Sequence, residues 1–389
     1  MNKHIIAQRM NQFDSTHLSR AFARAAAMTN PIDLSIGFPE DDTPGIIKKA
    51  GIKAIQNNKT RYTPPNGTLA LRSALAAKLE LMNGIAATPE TVSVTPGATT
   101  GILLAYLALL NPGDEILLPD PYFPPYRDIA TMLGAVPVLI DTFPDFQLTA
   151  RRIEPLITEN TRVLVINTPN NPSGAVYPEI ELRRIARLAR KHNITIIADE
   201  IYEHFAYDIP HFSIGSIYHQ TLTLNGFSKA YAMTGWRLGY MAGPLAIIAA
   251  INQLQQYIVF SSSSIAQEAG VAALRFDPSK LTDKYRRKRD LVREYLADSY
   301  HLAGSQGAFY AFIPVPTGHN DISFARAAVE KNVIILPSRA FSMHTDYVRI
   351  AFATDRSKLE RGLKIMRELA TDSLVATPII NGAVAESPN

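Results

Sequence analysis

The chain has 389 residues, 47% of them apolar and 19% charged, with 39 Lys and Arg against 35 Asp and Glu for a formal charge of +4. At roughly 150 residues per domain this length accommodates two or three units, and the composition excludes disordered, collagenous and low-complexity chains. No basic block is dense enough to track a phosphate backbone, so no nucleic-acid partner is expected, and the absence of cysteine removes disulfides, thiolate catalysis and cysteine-ligated metals together.

The first twenty residues mix Lys3, Arg9 and Asp14 into their apolar positions and lack the continuous hydrophobic segment of a secretory signal, so cytoplasmic residence is expected. Short aliphatic or β-branched runs ending in turn residues predict buried strands at 91–95, 115–119, 135–140, 162–167, 194–199 and 221–225. Between them, 178–192 predicts a helix, with Pro178 in its first turn and an apolar stripe of Ile180, Leu182, Ile185, Leu188 and Ala189. This alternation implies a largely parallel sheet covered on both faces. The uncharged stretch 238–267 contains Pro244, Asn252, several glutamines and four serines, which are costly in lipid, so no membrane span is expected. Beyond about 280 the pattern changes to a charged helix at 283–298 and a strand at 346–353, marking a smaller second unit. The tail from Leu374 has no sustained periodicity and is expected to be poorly ordered.

In a doubly wound sheet, ligands gather beyond the carboxyl ends of the strands. Gly97, Ala98 and Thr99 follow the first strand and open an apolar helix, a pattern that fits either an anion on backbone amides or an ordinary Gly-rich turn. No Walker loop and no GxG occurs, so nucleotides lose ground. TPNNPSG (168–174) reads by itself as a turn. Asp199 and Tyr202 are spaced to share a cleft, or to cap and pack. The segment GFSKAYAMTGWRLGY (226–240) is more specific. Lys229 stands among apolar and aromatic neighbours, where desolvation lowers the pKa of an amine and frees it to attack a carbonyl, and Arg237 offers a fixed cation for a phosphate.

GFSKAYAMTGWRLGY, with ADEIY and NTPNNPSG upstream and YVRIAFA near the end, resembles the class I, aspartate aminotransferase-like enzymes, fold type I users of pyridoxal 5'-phosphate (PLP). The likeness runs from about Ile36 to Phe352. It implies an α/β fold whose mostly parallel, seven-stranded sheet is sandwiched by helices, with residues 46–284 as the large PLP-binding domain. Residues 1–45 and 285–389 together would form a smaller α+β domain. By the same likeness Lys229 holds the cofactor as a Schiff base and later moves the substrate's proton, Asp199 pairs with the pyridine nitrogen, and Tyr202 and Asn171 bond its phenolic oxygen. Phe123 would lie against the pyridine face, with Tyr122 and Tyr126 as packing. Gly97, Ala98, Thr99, Arg237 and Ser228 would hold the phosphate, helped by Tyr62 of a neighbouring subunit in a homodimer. Arg349 would grip the substrate α-carboxylate, with Asn171 sharing it and the loop at Gly37 closing over it.

The implied reaction moves an amino group from an L-amino acid to a 2-oxo acid in two half-reactions. β-Elimination or decarboxylation on the same scaffold is the alternative, and a PLP-binding transcriptional regulator is disfavoured because only about 35 residues precede the first matched motif. One departure bears on specificity: Thr99 stands where an aspartate-selective branch has a lysine for the distal carboxylate. Arg339 is a candidate replacement, with a surface arginine as the plainer reading. Aspartate, aromatic and aliphatic donors all stay open. No metal is expected, since His204, His211 and His219 lack a metal-ligand spacing.

Overall fold

The computed structural model describes residues 6, 7, 9, 10 and 28–375; the targeting reading of the first twenty residues and nearly all of the tail reading lie outside them. The strands are β1 (Ile32–Asp33), β2 (Val92–Thr95), β3 (Glu115–Asp120), β4 (Val136–Asp141), β5 (Thr161–Asn167), β6 (Thr195–Asp199), β7 (Thr221–Gly226), β8 (Gly239–Ala242), β9 (Tyr310–Pro314), β10 (Val333–Ile334), β11 (Leu336–Pro337) and β12 (Tyr347–Ala351). The helices are α1 (Gly45–Gln56), α2 (Leu69–Asn83), α3 (Ala98–Leu109), α4 (Pro124–Met132), α5 (Ala150–Ile153), α6 (Glu179–His192), α7 (Leu245–Ile258), α8 (Ser264–Ala273), α9 (Ser279–Leu296), α10 (Asp321–Glu330) and α11 (Arg356–Val375).

Seven strands form one sheet in the order β2-β8-β7-β6-β5-β3-β4. Residues alternate faithfully between its faces. Leu117, Leu164, Ile166, Ile196 and Ala198 pack with Leu182, Ile185 and Ala189 of α6. Their neighbours Ile116, Leu118, Val163, Val165 and Ile197 pack with Ile102 and Leu104 of α3 and Ile248 of α7. This period of two, apolar on both sides, is why the runs read as buried strands. β3 to β7 run parallel, as expected, but β8 is antiparallel to both β2 and β7. Its four residues, starting at a glycine inside the RLGY motif, carried no strand signal of their own.

α6 has Glu179 and Glu181 in its first turn and Arg190, Lys191 and His192 in its last, which complements the helix dipole, and it ends at Asn193 in the left-handed region. Two details correct the sequence reading. Pro178 is the N-cap rather than a first-turn residue. Ile180 is 57% exposed, the inward stripe being completed by Ala186 instead.

A second sheet, β11-β12-β9, is antiparallel, and β1 pairs parallel with β10. From β1 the chain continues along β12, where Ala351 N donates to Leu34 O at 2.6 Å, and then reaches Gly37. The following turn is anchored on α9, where Lys284 and Lys288 pair with Glu40 and Lys284 also with Asp41. Residues early in the chain are thereby fixed against the C-terminal sheet, and Gly37 is delivered to the mouth of the large sheet.

Candidate active site

Three strand ends meet at Gly239. It pairs with Thr95 at the end of β2 and with Gly226 at the end of β7. Gly97, which follows β2, caps α3, and the loop 227–238 joins β7 to β8 carrying Ser228, Lys229 and Arg237. A Cβ on Gly239 would lie 2.7 Å from the Gly97 carbonyl carbon, so these segments approach as closely as backbone permits. Gly97 itself has φ +81°, and a Cβ there would lie 2.6 Å from Arg237 Nη2. Arg237, held in the left-handed region at φ 53°, faces the amide end of α3. A helix N-terminus and a guanidinium on one small opening make an anion cradle.

Beside it is a cavity of about 440 Å³. Gly37, Ala98, Thr99, Phe123, Asn171, Asp199, Tyr202, Ser228, Lys229, Arg237 and Arg349, all singled out in the sequence, line it. Gly97 sits behind Arg237 instead. Tyr62 is 84% exposed, its ring 4.8 Å from that of Phe260, and does not line the cavity within one chain.

Lys229 Nζ donates to the Gly37 carbonyl at 2.6 Å and lies 5.6 and 5.7 Å from the rings of Tyr202 and Phe309. Burial, reinforced by Arg349 and Arg237 and opposed by Asp199, lowers its pKa to about 8, which leaves a useful fraction of neutral amine at physiological pH. Asp199 ends β6. Burial pushes its carboxyl up to about 6, against the Tyr126 hydroxyl and the Ile201 amide, which donate to it at 2.7 and 3.1 Å. The assignment of Tyr126 to packing is therefore corrected: the ring is buried, but its hydroxyl holds Asp199.

Arg349 lies on β12. Its Nη1 donates to Asn171 Oδ1 at 3.1 Å and its Nη2 to Ser35 O at 2.7 Å, while Nε is buried without a partner. The rings of Tyr310 and Phe341 each lie 4.5 Å from its guanidinium carbon. Asn171 is fixed in turn by its amide, which donates to Asn167 Oδ1 at 2.8 Å. Sequence reasoning missed Tyr310, Phe341, Phe38, Ile102 and Asn167 in this lining. Only Tyr310 had a usable signal, its alternation with Phe312 in the apolar run GAFYAF.

Arg339 does not reach the cavity. Its Nε and Nη2 bond the Asp321 carboxylate at 2.9 and 2.6 Å, and Asp321 is fully buried. Glu200, Glu203 and His211 bring ligand atoms within 4.8 Å of one another, a spacing suited to a metal. The Lys78 ammonium already pairs there, with Glu203 Oε1 at 2.5 Å and Asn83 Oδ1 at 2.8 Å, so the position of a cation is taken.

Residues 29–366 match the family model of class I and II aminotransferases. The chain belongs to that family. It is 39% identical over 380 residues to a bifunctional aspartate aminotransferase and glutamate/aspartate-prephenate aminotransferase of Petunia hybrida, covering 90% of this chain and 79% of the relative. It is 38% identical over 344 residues to the aspartate/prephenate aminotransferase of Thermus thermophilus, covering 86% and 89%. Among solved structures it matches the aspartate aminotransferase from Thermus thermophilus with maleate at TM-score 0.90 and 34% identity, covering 94% and 100% of the two chains. An aromatic aminotransferase from Pyrococcus horikoshii matches at TM-score 0.86 and 35% identity, covering 92% and 100%. The protein is a PLP-dependent aminotransferase with the fold type I architecture. The residues present fit the cofactor: the cavity holds a buried amine and a buried carboxylate, and at its edge is an anion cradle in which a Cβ at Gly97 would displace the Arg237 guanidinium. Among the described residues no helix is long and apolar enough to cross a membrane.

Proposed function

We propose that this aminotransferase takes an L-amino acid with an apolar or aromatic side chain as donor and a 2-oxo acid as acceptor, and that Lys229, Asp199, Tyr202, Arg237 and Arg349 carry the work. The observation behind the reading is one cavity in which the Lys229 amine and the Arg349 guanidinium face the same space, with Asp199 buried beside them. When bound, PLP supplies an aldehyde for amine exchange and a ring that spreads negative charge from the substrate Cα. Lys229 binds that aldehyde through its amine and, once displaced, takes and returns the Cα proton. Asp199, ionised, holds a proton on the ring nitrogen; a unit pair at 4 Å is worth about 4 kcal/mol at an effective dielectric near 20. Tyr202 and Asn171 would hydrogen-bond the phenolic oxygen, and Phe123 would pack against the ring. Ala98, Thr99, Ser228 and Arg237 receive the phosphate, with Gly97 leaving room for it. Arg349 and Asn171 hold the substrate α-carboxylate, and the Gly37 loop excludes water.

The donor class follows from the remaining wall. Phe38, Ile102, Pro124, Pro125 and Phe341 are apolar, and the three cations among the lining residues, Lys229, Arg237 and Arg349, each have another task. The names of the relatives favour a second reading, a dicarboxylate donor. A homodimer with shared sites is supported by exposed Tyr62, Tyr257, Ile258 and Phe260 on neighbouring segments, where Ser264 Oγ donates to Lys59 O. The division into a cofactor unit at 46–284 and a unit from 1–45 with 285–389 is supported by confinement of the seven-stranded sheet to β2–β8 and by the β1–β10 pairing.

Borohydride reduction of the PLP-loaded enzyme followed by peptide mapping should place the label on Lys229. A donor panel with 2-oxoglutarate should then give higher kcat/KM for phenylalanine, tyrosine or leucine than for aspartate. A label elsewhere defeats the site, a preference for aspartate defeats the donor class, and pyruvate with ammonia from a β-substituted donor would mark a lyase side reaction.

A further inference from the structure

Tyr310 has no part in the chemistry above, yet it joins three of its elements. It is 1% exposed on β9. It lies two residues from Phe312, which sits opposite Arg349 in the β9–β12 pairing, so the Tyr310 and Arg349 side chains are diagonal neighbours on one face. Its ring supports the Arg349 guanidinium at 4.5 Å. Its hydroxyl is 2.8 Å from the Tyr202 hydroxyl and donates to the Gly37 carbonyl at 3.3 Å, the same oxygen that receives Lys229 Nζ at 2.6 Å. The fit around it is close: a Cβ on Gly37 would lie 2.7 Å from the Tyr310 hydroxyl oxygen.

A phenylalanine would bury the same ring. The hydroxyl is therefore the informative part, since a hydroxyl carries one donor and two acceptor sites and must place its proton on one neighbour at a time. In the cavity Tyr310 can donate to Gly37 O or to Tyr202. When Tyr202 turns its own proton toward the cofactor's phenolic oxygen, its oxygen is free to accept, and a hydroxyl that accepts becomes a stronger donor.

We propose that Tyr310 is a positioning residue whose ring sets the plane of Arg349 and whose hydroxyl donates to Tyr202, so that Tyr202 directs its proton into the cavity. The proposal rests on the roles given above to Tyr202 and Arg349. Its two halves are separable by substitution.

The test uses PLP-loaded enzyme and reads the pH midpoint of its visible absorbance, together with the affinity for propionate measured through that absorbance. Tyr310→Phe should raise the midpoint by about 0.3 pH unit, because a weaker Tyr202 donor leaves the phenolic oxygen more negative and a nearby proton more firmly held. Propionate affinity should stay unchanged in Tyr310→Phe and fall about tenfold in Tyr310→Ala, which removes the ring from the guanidinium. Tyr202→Phe should raise the midpoint further, and adding Tyr310→Phe to it should have no additional effect.

A Tyr310→Phe midpoint equal to that of the parent enzyme, with Tyr202→Phe shifted, overturns the hydroxyl half while leaving the role of Tyr202 intact. An unshifted Tyr202→Phe refutes that role and the hydroxyl half with it. Equal propionate affinity in the Phe and Ala variants overturns the ring half. Should Tyr310→Ala fail to fold, Tyr310→Leu keeps the apolar bulk without a flat ring and replaces it in the comparison.

Discussion

Asp199 and Glu200 are consecutive at the end of β6, and their side chains enter opposite kinds of surroundings. Asp199 opens on the cavity with only the Tyr126 hydroxyl and the Ile201 amide as donors, and burial lifts its pKa to about 6. Glu200 enters a network of side chains in which Ser213 Oγ and His211 Nε2 reach its Oε2 at 2.7 and 3.1 Å, and Asn83 Nδ2 does so at 3.3 Å, while its Oε1 is buried without a partner. Glu203 completes that network. Burial would raise its pKa, but Lys78, the His204 and His211 imidazoles and Asn83 outweigh it and hold the value at about 2. One cluster carries its own counter-charges; the other leaves charges for a ligand to complete. Burial alone is thus no sign of function, whereas burial with an unmatched charge facing open space is.

Exchanging these two behaviours by mutation gives the sharpest tests. Asp199→Asn should lower kcat/KM roughly 10³-fold, the equivalent of about 4 kcal/mol, with donor binding little changed. It should not destabilise the cofactor-free protein. Because the folded pKa of about 6 lies above the ordinary 3.8, the ionised carboxylate opposes the apo fold at neutral pH, and this cost fades as pH falls from about 6 toward 3.8. A lower apo melting temperature for the variant at pH 7.5 would erase the contrast. Lys78→Met should do the reverse, costing about 3 kcal/mol in urea unfolding while the folded fraction retains its kcat.

The same network has a pH signature. Since Glu203 is depressed from 4.5 to about 2, its contribution is whole above pH 4.5 and is lost as pH falls toward 2. Lys78→Met should flatten that part of the stability profile, and an unchanged acid limb would disconnect Lys78 from Glu203. Tyr126→Phe removes one donor to Asp199 and should cost about 1.5–2 kcal/mol in kcat/KM, some 10–30-fold, without moving Arg349-dependent carboxylate affinity. The last test follows a rate in the parent protein, with no substitution. Covalent uptake of PLP by the apoprotein should rise almost tenfold per pH unit below about 8 and level off above it, following the neutral Lys229 amine; a flat profile from pH 6 to 9 would contradict the lowered pKa.

Much of this site was legible because its chemistry is written in contiguous segments. Lys229 among apolar neighbours and Arg237 eight residues on lie in one loop, so their surroundings singled them out, whereas the roles of both, and the choice of Phe123, Asn171 and Arg349, came from the family resemblance. The parallel strands were legible from aliphatic runs, which two covered faces demand. β8 was not, because its identity comes from pairing with β2 and β7 and its own four residues are an unremarkable GYMA. Tyr126 and Tyr310 were missed for a related reason: a tyrosine packs with its ring and acts with its hydroxyl, and the hydroxyl's partner lies 73 residues away in one case and 108 in the other. Arg339 shows the converse, a cation near the right motif that a buried aspartate 18 positions earlier had already claimed. Tyr62 does not line the cavity of its own chain, so within one chain only its exposure speaks for it.

The contact between Gly97 and Gly239 has a consequence for how such an enzyme diversifies. A side chain at Gly239 collides with main-chain atoms of Gly97 and Ala98 that cannot swing aside, and one at Gly97, where φ is +81°, strains the backbone and pushes the Arg237 guanidinium out of the cradle. Variation in donor choice is therefore channelled to the wall away from the cradle, where half-exposed Phe38 can be exchanged without disturbing it. Laboratory evolution of this protein should accumulate its substitutions there and leave both glycines untouched.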